Sequence, residues 1–270
     1  AETRIPQPVI RTDAEAPHRP STWEPALASA AEAVKRIAPN QLAIIASGRM
    51  TNEELYMVRH LAAQIGTDMV DIVPRMGESD GMLISADRNP NTNGARLVLD
   101  IEPGSRLDAI REGVRSGSVK GILSLGEDLI SPEAGFTAED LDKLDYLFMT
   151  AHSANETARH ADLVLPGVTY AEKFGTMINV TGRIQRLNRA IQPIGYARDD
   201  WQIFRDITLL LGGNPALKDF NSALDILTAM STEYGALNGV SWGSIGDGGQ
   251  PILETGVTIP VVEREKNQGR

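Results

Sequence analysis

Apolar positions along the chain switch between two periods, and the switching implies an architecture. Residues 41–46 (QLAIIA) are a short, almost continuously apolar run, the pattern of a strand covered on both faces. Ser47-Gly48-Arg49 turns the chain, and Thr51-x-x-Glu54 has the spacing of a capping box. The helix it opens runs to about Ile65, where Gly66 supplies a stop. An earlier helix is expected from Ser21-x-x-Glu24, with Trp23, Leu27, Ala30, Val34 and Ile37 along one face and Pro39-Asn40 ending it.

The pattern then recurs. Residues 74–95, rich in Gly, Asn, Asp and Pro, read as loop. Arg96 to Ile101 reads as a strand, Ser105 to Ser116 as a helix and Val119 to Leu125 as a buried strand. Thr137 to Leu144 reads as a helix, Tyr146 to Thr150 as a strand and Ala154 to His160 as a short helix. Leu163 to Leu165 is a further strand, closed by Pro166-Gly167. Strands alternating with helices predict an α/β fold: a doubly wound, mostly parallel sheet with helices on both faces. Ligands of such sheets sit beyond the carboxyl ends of the strands.

After Pro166 the pattern loosens. Thr176 to Val180 and Arg183 to Leu187 are β-like pieces among turn residues. A helix from Asp199 to Leu211 carries Trp201, Phe204, Ile207 and Leu211 at helical spacing, and a last helix spans Ser222 to Tyr234. The organisation expected is an extended arm (1–20), an α/β domain (21–235) and a glycine-rich extended tail (236–270) with one strand-like run, Val257 to Val262. Pro6, Pro8, Pro17 and Pro20 keep the arm from being helical. Arm and tail are expected to lie against neighbouring subunits or the rest of a parent chain. The chain begins at Ala1, without a basic-plus-apolar signal segment, as a processed chain or a piece of a longer one would.

Composition narrows the chemistry. The 270 residues include 26 Lys+Arg and 36 Asp+Glu, a net charge of −10 that opposes nucleic-acid and anionic-membrane partners. Aromatic residues at 5% make a base-stacking platform poor, and no apolar run is long enough to span a bilayer. The absence of cysteine removes disulfides, cysteine nucleophiles, thiolate zinc sites and any iron–sulfur cluster held by this chain.

Individual motifs identify no active site on their own. There is no GxxxxGK[ST] and no GxGxxG between a strand and a helix. The turn at Ser47 to Asn52 brings a glycine to a helix N-terminus that could hold an anion, although capping explains Thr51, Asn52 and Glu54 equally well. His152, Glu156 and His160 lie at i, i+4 and i+8, a metal-ligand stripe if one helix carries all three and otherwise a solvated face. No G-x-S-x-G elbow exists, and no carboxylate pair is singled out by spacing. No catalytic residue and no metal ligand is therefore assigned.

The most distinctive stretch is 150–201. Glu172, Gly175, Thr176, Asn179, Gly182, Arg183 and Gln185 follow Ala161-Asp162 and Val164-Leu165-Pro166 in order. The two glycines permit tight backbone turns. The polar side chains could bind a large polar ligand or brace a loop against a neighbouring domain.

This stretch resembles the molybdopterin oxidoreductase family, through A-D-x-V-L-P followed by E-x-x-G-T-x-x-N-x-x-G-R-x-Q. Ser21-Thr22-Trp23-Glu24-Pro25-Ala26-Leu27, Ser47-Gly48-Arg49 with Asn52-Glu53-Glu54, Asn89-Pro90-Asn91 and Gly126-Glu127-Asp128 are similar to other family pieces in the same order. Within the family, Ala171 to Trp201 looks most like the C-terminal region of the large iron–sulfur subunit of respiratory complex I, with formate dehydrogenase α subunits the rival. The resemblance implies a scaffold part of a complex I-like NADH–quinone oxidoreductase, without a redox centre of its own. Its iron–sulfur clusters would sit in partner domains or chains. Its partners would be other subunits of a respiratory complex, cytoplasmic and membrane-associated through that complex. The alternative is the pterin-binding part of a molybdenum oxidoreductase such as a formate dehydrogenase, holding molybdopterin guanine dinucleotide through residues 172–185. The chain lacks the family's cysteine-bound cluster domain, its long middle and its C-terminal β-barrel.

Overall fold

Continuous apolar runs can be buried from two sides only if helices cover both faces of a sheet, and the chain satisfies this. A computed structural model describes residues 3–11, 16–82 and 84–257. The chain opens with β1 (Val9–Ile10) and β2 (Arg19–Pro20), then α1 (Trp23–Arg36), β3 (Leu42–Ala46), α2 (Asn52–Ile65) and β4 (Val70–Ile72). Next come α3 (Thr92–Leu99), α4 (Leu107–Ser116), β5 (Gly121–Leu125), α5 (Ala138–Leu141), β6 (Tyr146–Ala151), α6 (Glu156–His160) and β7 (Leu163–Pro166). Strands β8 (Gly175–Ile178) and β9 (Arg183–Leu187), helices α7 (Asp200–Leu210), α8 (Ala223–Glu233) and α9 (Trp242–Ile245), and β10 (Gln250–Pro251) complete it.

Seven strands form one sheet in the order β2-β1-β7-β6-β5-β3-β4, parallel from β7 to β4, with β1 and β2 added antiparallel. Period two decides which core each strand residue enters. Leu42, Ile44 and Ala46 join Phe148 and Leu165 beneath α1, α2, α3, α7 and α8. Ala43 and Ile45 join Leu147, Met149 and Val164 beneath α4, α5 and α6. From β3 the chain runs outward to β4 and then returns to the other side of β3 as β5. The strand order therefore reverses between β3 and β5, which is where open α/β sheets place ligands. A three-stranded antiparallel sheet, β10-β9-β8, packs on α2 and α3.

The doubly wound sheet agrees with the expectation from sequence; several local readings need correction. Arg96 to Ile101 is not a strand: Thr92–Leu99 is helical, with Ala95 and Val98 turned into the core beside α2. Gly94 permits that packing, since a Cβ there would lie 2.1 Å from Asn52 Oδ1 and 2.2 Å from Asn91 Oδ1. The cap at Ser21 does not form. Thr22 is the N-cap, without a side-chain bond, and Ser21 Oγ donates to Thr22 O at 3.2 Å. The helix expected over 137–144 stops at Leu141.

The described part of the arm is extended, and its described partner is this chain's own sheet. Val9 and Ile10 pair with Val164 and Leu163, and Ile5 is buried. Where an extended tail is expected from 236 on, Leu237, Val240 and Ile245 are buried and Trp242–Ile245 is a helical turn. Of the run Val257 to Val262, residues 258–262 lie outside the described residues.

Candidate functional site

The loops after four parallel strands converge on one crevice at the point where strand order reverses. Ser47, Arg49 and Met50 follow β3, Gly126 follows β5, His152 follows β6, and Gly167 to Tyr170 follow β7. Lys173 and Asp200 close the far wall around a cavity of about 170 Å³.

The crevice is fixed by buried charge. Glu127, fully buried, accepts from Ser47 Oγ at 2.8 Å and pairs with Arg75 at 2.7 Å and Arg49 at 3.6 Å. Arg75 is mostly buried, whereas the Arg49 side chain is 57% exposed and faces the crevice. On the opposite wall Lys173 Nζ donates to Glu54 Oε2 at 2.8 Å and lies 3.4 Å from Asp200 Oδ2. Burial opposes its charge, yet Glu54 and Asp200 hold its ammonium well above the usual lysine range. Lys173 is thus committed to the protein, and Arg49 is the cation offered to a ligand. Helix α2 keeps its N-terminus for itself: Thr51 Oγ1 accepts from Glu54 N, and Glu54 Oε2 accepts from Thr51 N. Capping accounts for Thr51, whereas Glu54 both caps the helix and pairs with Lys173.

The residues singled out at 172–185 divide between bracing and a second cleft. Glu172 is fully buried; Arg4 Nη2 donates to its two oxygens at 3.0 and 2.9 Å, and Thr169 N donates at 2.8 Å. Burial opposes its ionisation, but these donors hold its carboxyl below the usual range. Thr176 donates to Glu53 from both N and Oγ1 at 2.8 Å and accepts from Asn52 Nδ2 at 2.9 Å. Gly175 does not have a positive φ; a Cβ there would meet Glu53 Oε2 at 2.6 Å, so the position needs a small residue for close approach. Gly182 does adopt φ +77°, in the β8–β9 turn. Asn179 Oδ1 accepts from Thr181 N and Arg183 N, both at 3.0 Å, and stitches that turn. Arg183 Nη1 donates to Gly249 O at 2.7 Å and ties β9 to the β10 strand.

Asn179 and Gln185 reach a separate cleft of about 600 Å³, joined by Arg88, Asn89 and Arg186. The Oδ1 of buried Asn89 has no hydrogen-bond partner. The sequence reading missed Arg75, Lys173, Asp200 and Glu127 as a set, because they meet only through the sheet. Order along the chain carries no such signal, although Gly126-Glu127-Asp128 marks one of them.

The His152–Glu156–His160 stripe does not converge. His152 precedes α6 and bonds Ser153 Oγ through Nδ1 at 2.8 Å, Glu156 pairs with Arg159, and His160 Nδ1 lies 2.8 Å from Asp142 Oδ1. Among the described residues no group of three or more His, Asp or Glu side chains is placed to hold a metal. Among them, too, no helix is long and apolar enough to cross a membrane.

Comparison with known proteins gives part of the chain a family likeness. Residues 88–208 match the molybdopterin oxidoreductase family. That stretch is similar to the family, in agreement with the likeness read from 161–185. The chain is 32% identical over 144 residues to a protein of Staphylococcus haemolyticus named as a formate dehydrogenase, covering 53% of this chain and 15% of that one. It is 34% identical over 136 residues to the NADPH-Fe(3+) oxidoreductase subunit alpha of Geobacter sulfurreducens, covering 50% and 16%. The matched stretch is thus about one-sixth of either relative. In fold, the chain is similar to the acetylene hydratase from Pelobacter acetylenicus, with a TM-score of 0.59 at 9% identity over 90% of this chain and 65% of that one.

Proposed function

We propose that this chain is the dinucleotide-holding α/β part of a molybdenum oxidoreductase of the formate dehydrogenase type, working within a larger protein or complex. The observation that carries the reading is the crevice at the β3/β5 switch point, with the exposed Arg49 guanidinium at its mouth. Its donor set suits one end of molybdopterin guanine dinucleotide: Arg49 for phosphate, with His152 and the Tyr170 hydroxyl on the walls. Asn179 and Gln185, with Arg88, would meet a further portion in the second cleft, while Glu172, Gly175, Thr176, Gly182 and Arg183 hold the β8–β9 hairpin in place. When bound, the group supplies two-electron chemistry at its metal. The chain has no cysteine to offer that metal as a ligand.

Calorimetric titration of the chain with diguanosine pyrophosphate tests this. Wild type is expected to bind, and Arg49→Ala to bind at least about tenfold more weakly, the loss of one charge-assisted phosphate contact. No binding at millimolar ligand would refute the reading.

A second reading, the scaffold role in a complex I-like NADH–quinone oxidoreductase, is favoured by one observation. The Glu172 carboxylate and Thr176 hydroxyl are consumed by internal bonds and have little left to offer a ligand. Membrane association would then come only through other subunits. Absent nucleotide binding, together with co-purification of respiratory subunits, would support it.

A further inference from the structure

Behind the crevice wall lies a group of charges that do not balance. Lys173, Glu54 and Asp200 form one buried triad, none of them more than 10% exposed. Glu53, the neighbouring carboxyl on α2, is buried too; its oxygens accept from Thr176 N and Oγ1, and the Thr51 side chain and its own backbone amide also bond to it. Among the described residues it has no ion pair. Fully ionised, these four groups carry three negative charges against one positive. An uncompensated buried carboxylate is costly enough that such a group keeps its proton instead.

The surroundings leave the excess in place. His152 faces the triad from the end of β6; burial, with Arg4 and Lys173 nearby, lowers its proton affinity, so it adds no charge at pH 7. Arg189 pairs with Asp199 at 2.7 Å, and Arg4 with Glu172 at 2.9 Å. On the crevice side Arg49 and Glu127 stand 3.6 Å apart. Burial pushes the Glu53 carboxyl up to about 7 and moves Glu54 in the same direction against the attraction of Lys173.

We propose that the Glu54–Lys173–Asp200 triad, with buried Glu53 one residue back on α2, forms a proton-storage site set against the crevice, holding one exchangeable proton on a buried glutamate at neutral pH. Lys173 and Asp200 line both the cluster and the crevice, so charge on one side is felt on the other. Negative charge entering the crevice draws a proton from solvent onto a carboxylate oxygen; positive charge returns it to solvent. No other bond changes. The site gives any charge change in the crevice a compensating partner, whether or not a nucleotide is what enters.

Carboxyl ¹³C NMR titration of the full chain is the test. One glutamate is expected to titrate near neutrality, and its signal to leave that range in Glu53→Gln or Glu54→Gln. Arg49→Ala removes positive charge from the crevice without touching the cluster, and is expected to raise that midpoint by roughly half a pH unit. If the glutamine variants do not fold, the wild-type and Arg49→Ala titrations decide alone. Every glutamate titrating below pH 6, or a near-neutral midpoint unmoved by Arg49→Ala, would overturn the proposal. Neither result depends on nucleotide binding, so its failure is distinct from failure of the functional reading.

Discussion

Gly182→Ala separates two costs that glycine usually hides together. Gly182 adopts φ +77°, where an alanine costs about 1 kcal/mol from backbone sterics. A Cβ there would also lie 2.2 Å from Leu253 O, a backbone atom that cannot rotate away. Moving that segment breaks the bonds from Ile252 N and Leu253 N to Gly182 O, at 3.0 and 3.1 Å. Each is worth about 1 kcal/mol, so the substitution is expected to cost about 3 kcal/mol in total. For a chain of this size that lowers the thermal midpoint by roughly 6–12 °C. Gly239 is the control: φ is +76° and nothing lies within 4 Å of its Cβ, so Gly239→Ala carries the strain alone, about 1 kcal/mol. Thermal unfolding by circular dichroism reads both. Equal midpoint shifts for the two variants would refute the argument, because they would show that the contact with Leu253 carries no cost.

Three further outcomes follow from buried groups and the arm. Glu53 is raised from 4.5 to about 7 in the folded chain, so its stabilising share is complete below pH 4.5 and lost as pH rises through 7. Urea unfolding at pH 5 and pH 8 is expected to show Glu53→Gln gaining about 2–3 kcal/mol on wild type over that interval, and parallel profiles would exclude it. Arg4→Met leaves Glu172 buried without its cation and is expected to cost about 3 kcal/mol in the same assay; a change below about 0.5 kcal/mol would show that the pair is solvated. Ile5 N donates to His152 O and Arg11 N to Asp162 O, so hydrogen exchange in the isolated chain is expected to be slow at both amides. Exchange at free-peptide rates would show that the arm is not part of this sheet.

The large sheet was legible because its strands are continuous apolar runs joined by helices with capping residues. Leu42 to Ala46 and Gly121 to Leu125 are each buried along their whole length, which leaves one arrangement open to them. Arg96 to Leu99 misled because Leu97-Val98-Leu99 is a short, β-branched-containing apolar run of strand length. The contact that makes it helical, Gly94 against Asn52, comes from 42 residues away and has no local signature. Strand β4 went unread because its Asp71 is polar, yet that carboxylate is buried to accept from Gly104 N and Arg106 N at 2.8 and 2.7 Å. The motif at 172–185 was legible as an ordered set, but which of its members face a cleft depended on partners in the arm and in α2. Gly175 shows the difference: it is small because Glu53 lies against it, and backbone strain has no part.

The bonds from Thr176 N to Glu53 and from Ile178 N to Asn91 Oδ1 have an effect beyond holding β8 on the domain. Strand β8 ends the small sheet, and an end strand offers its outward amides to any extended chain that passes. Here two side chains from elsewhere in the fold have already taken those amides. A visiting strand would have to displace a buried carboxylate and a buried amide before its first backbone bond could form. The β8 margin of the small sheet is therefore closed to growth, and copies of this chain cannot join through β8 into a continuous ribbon.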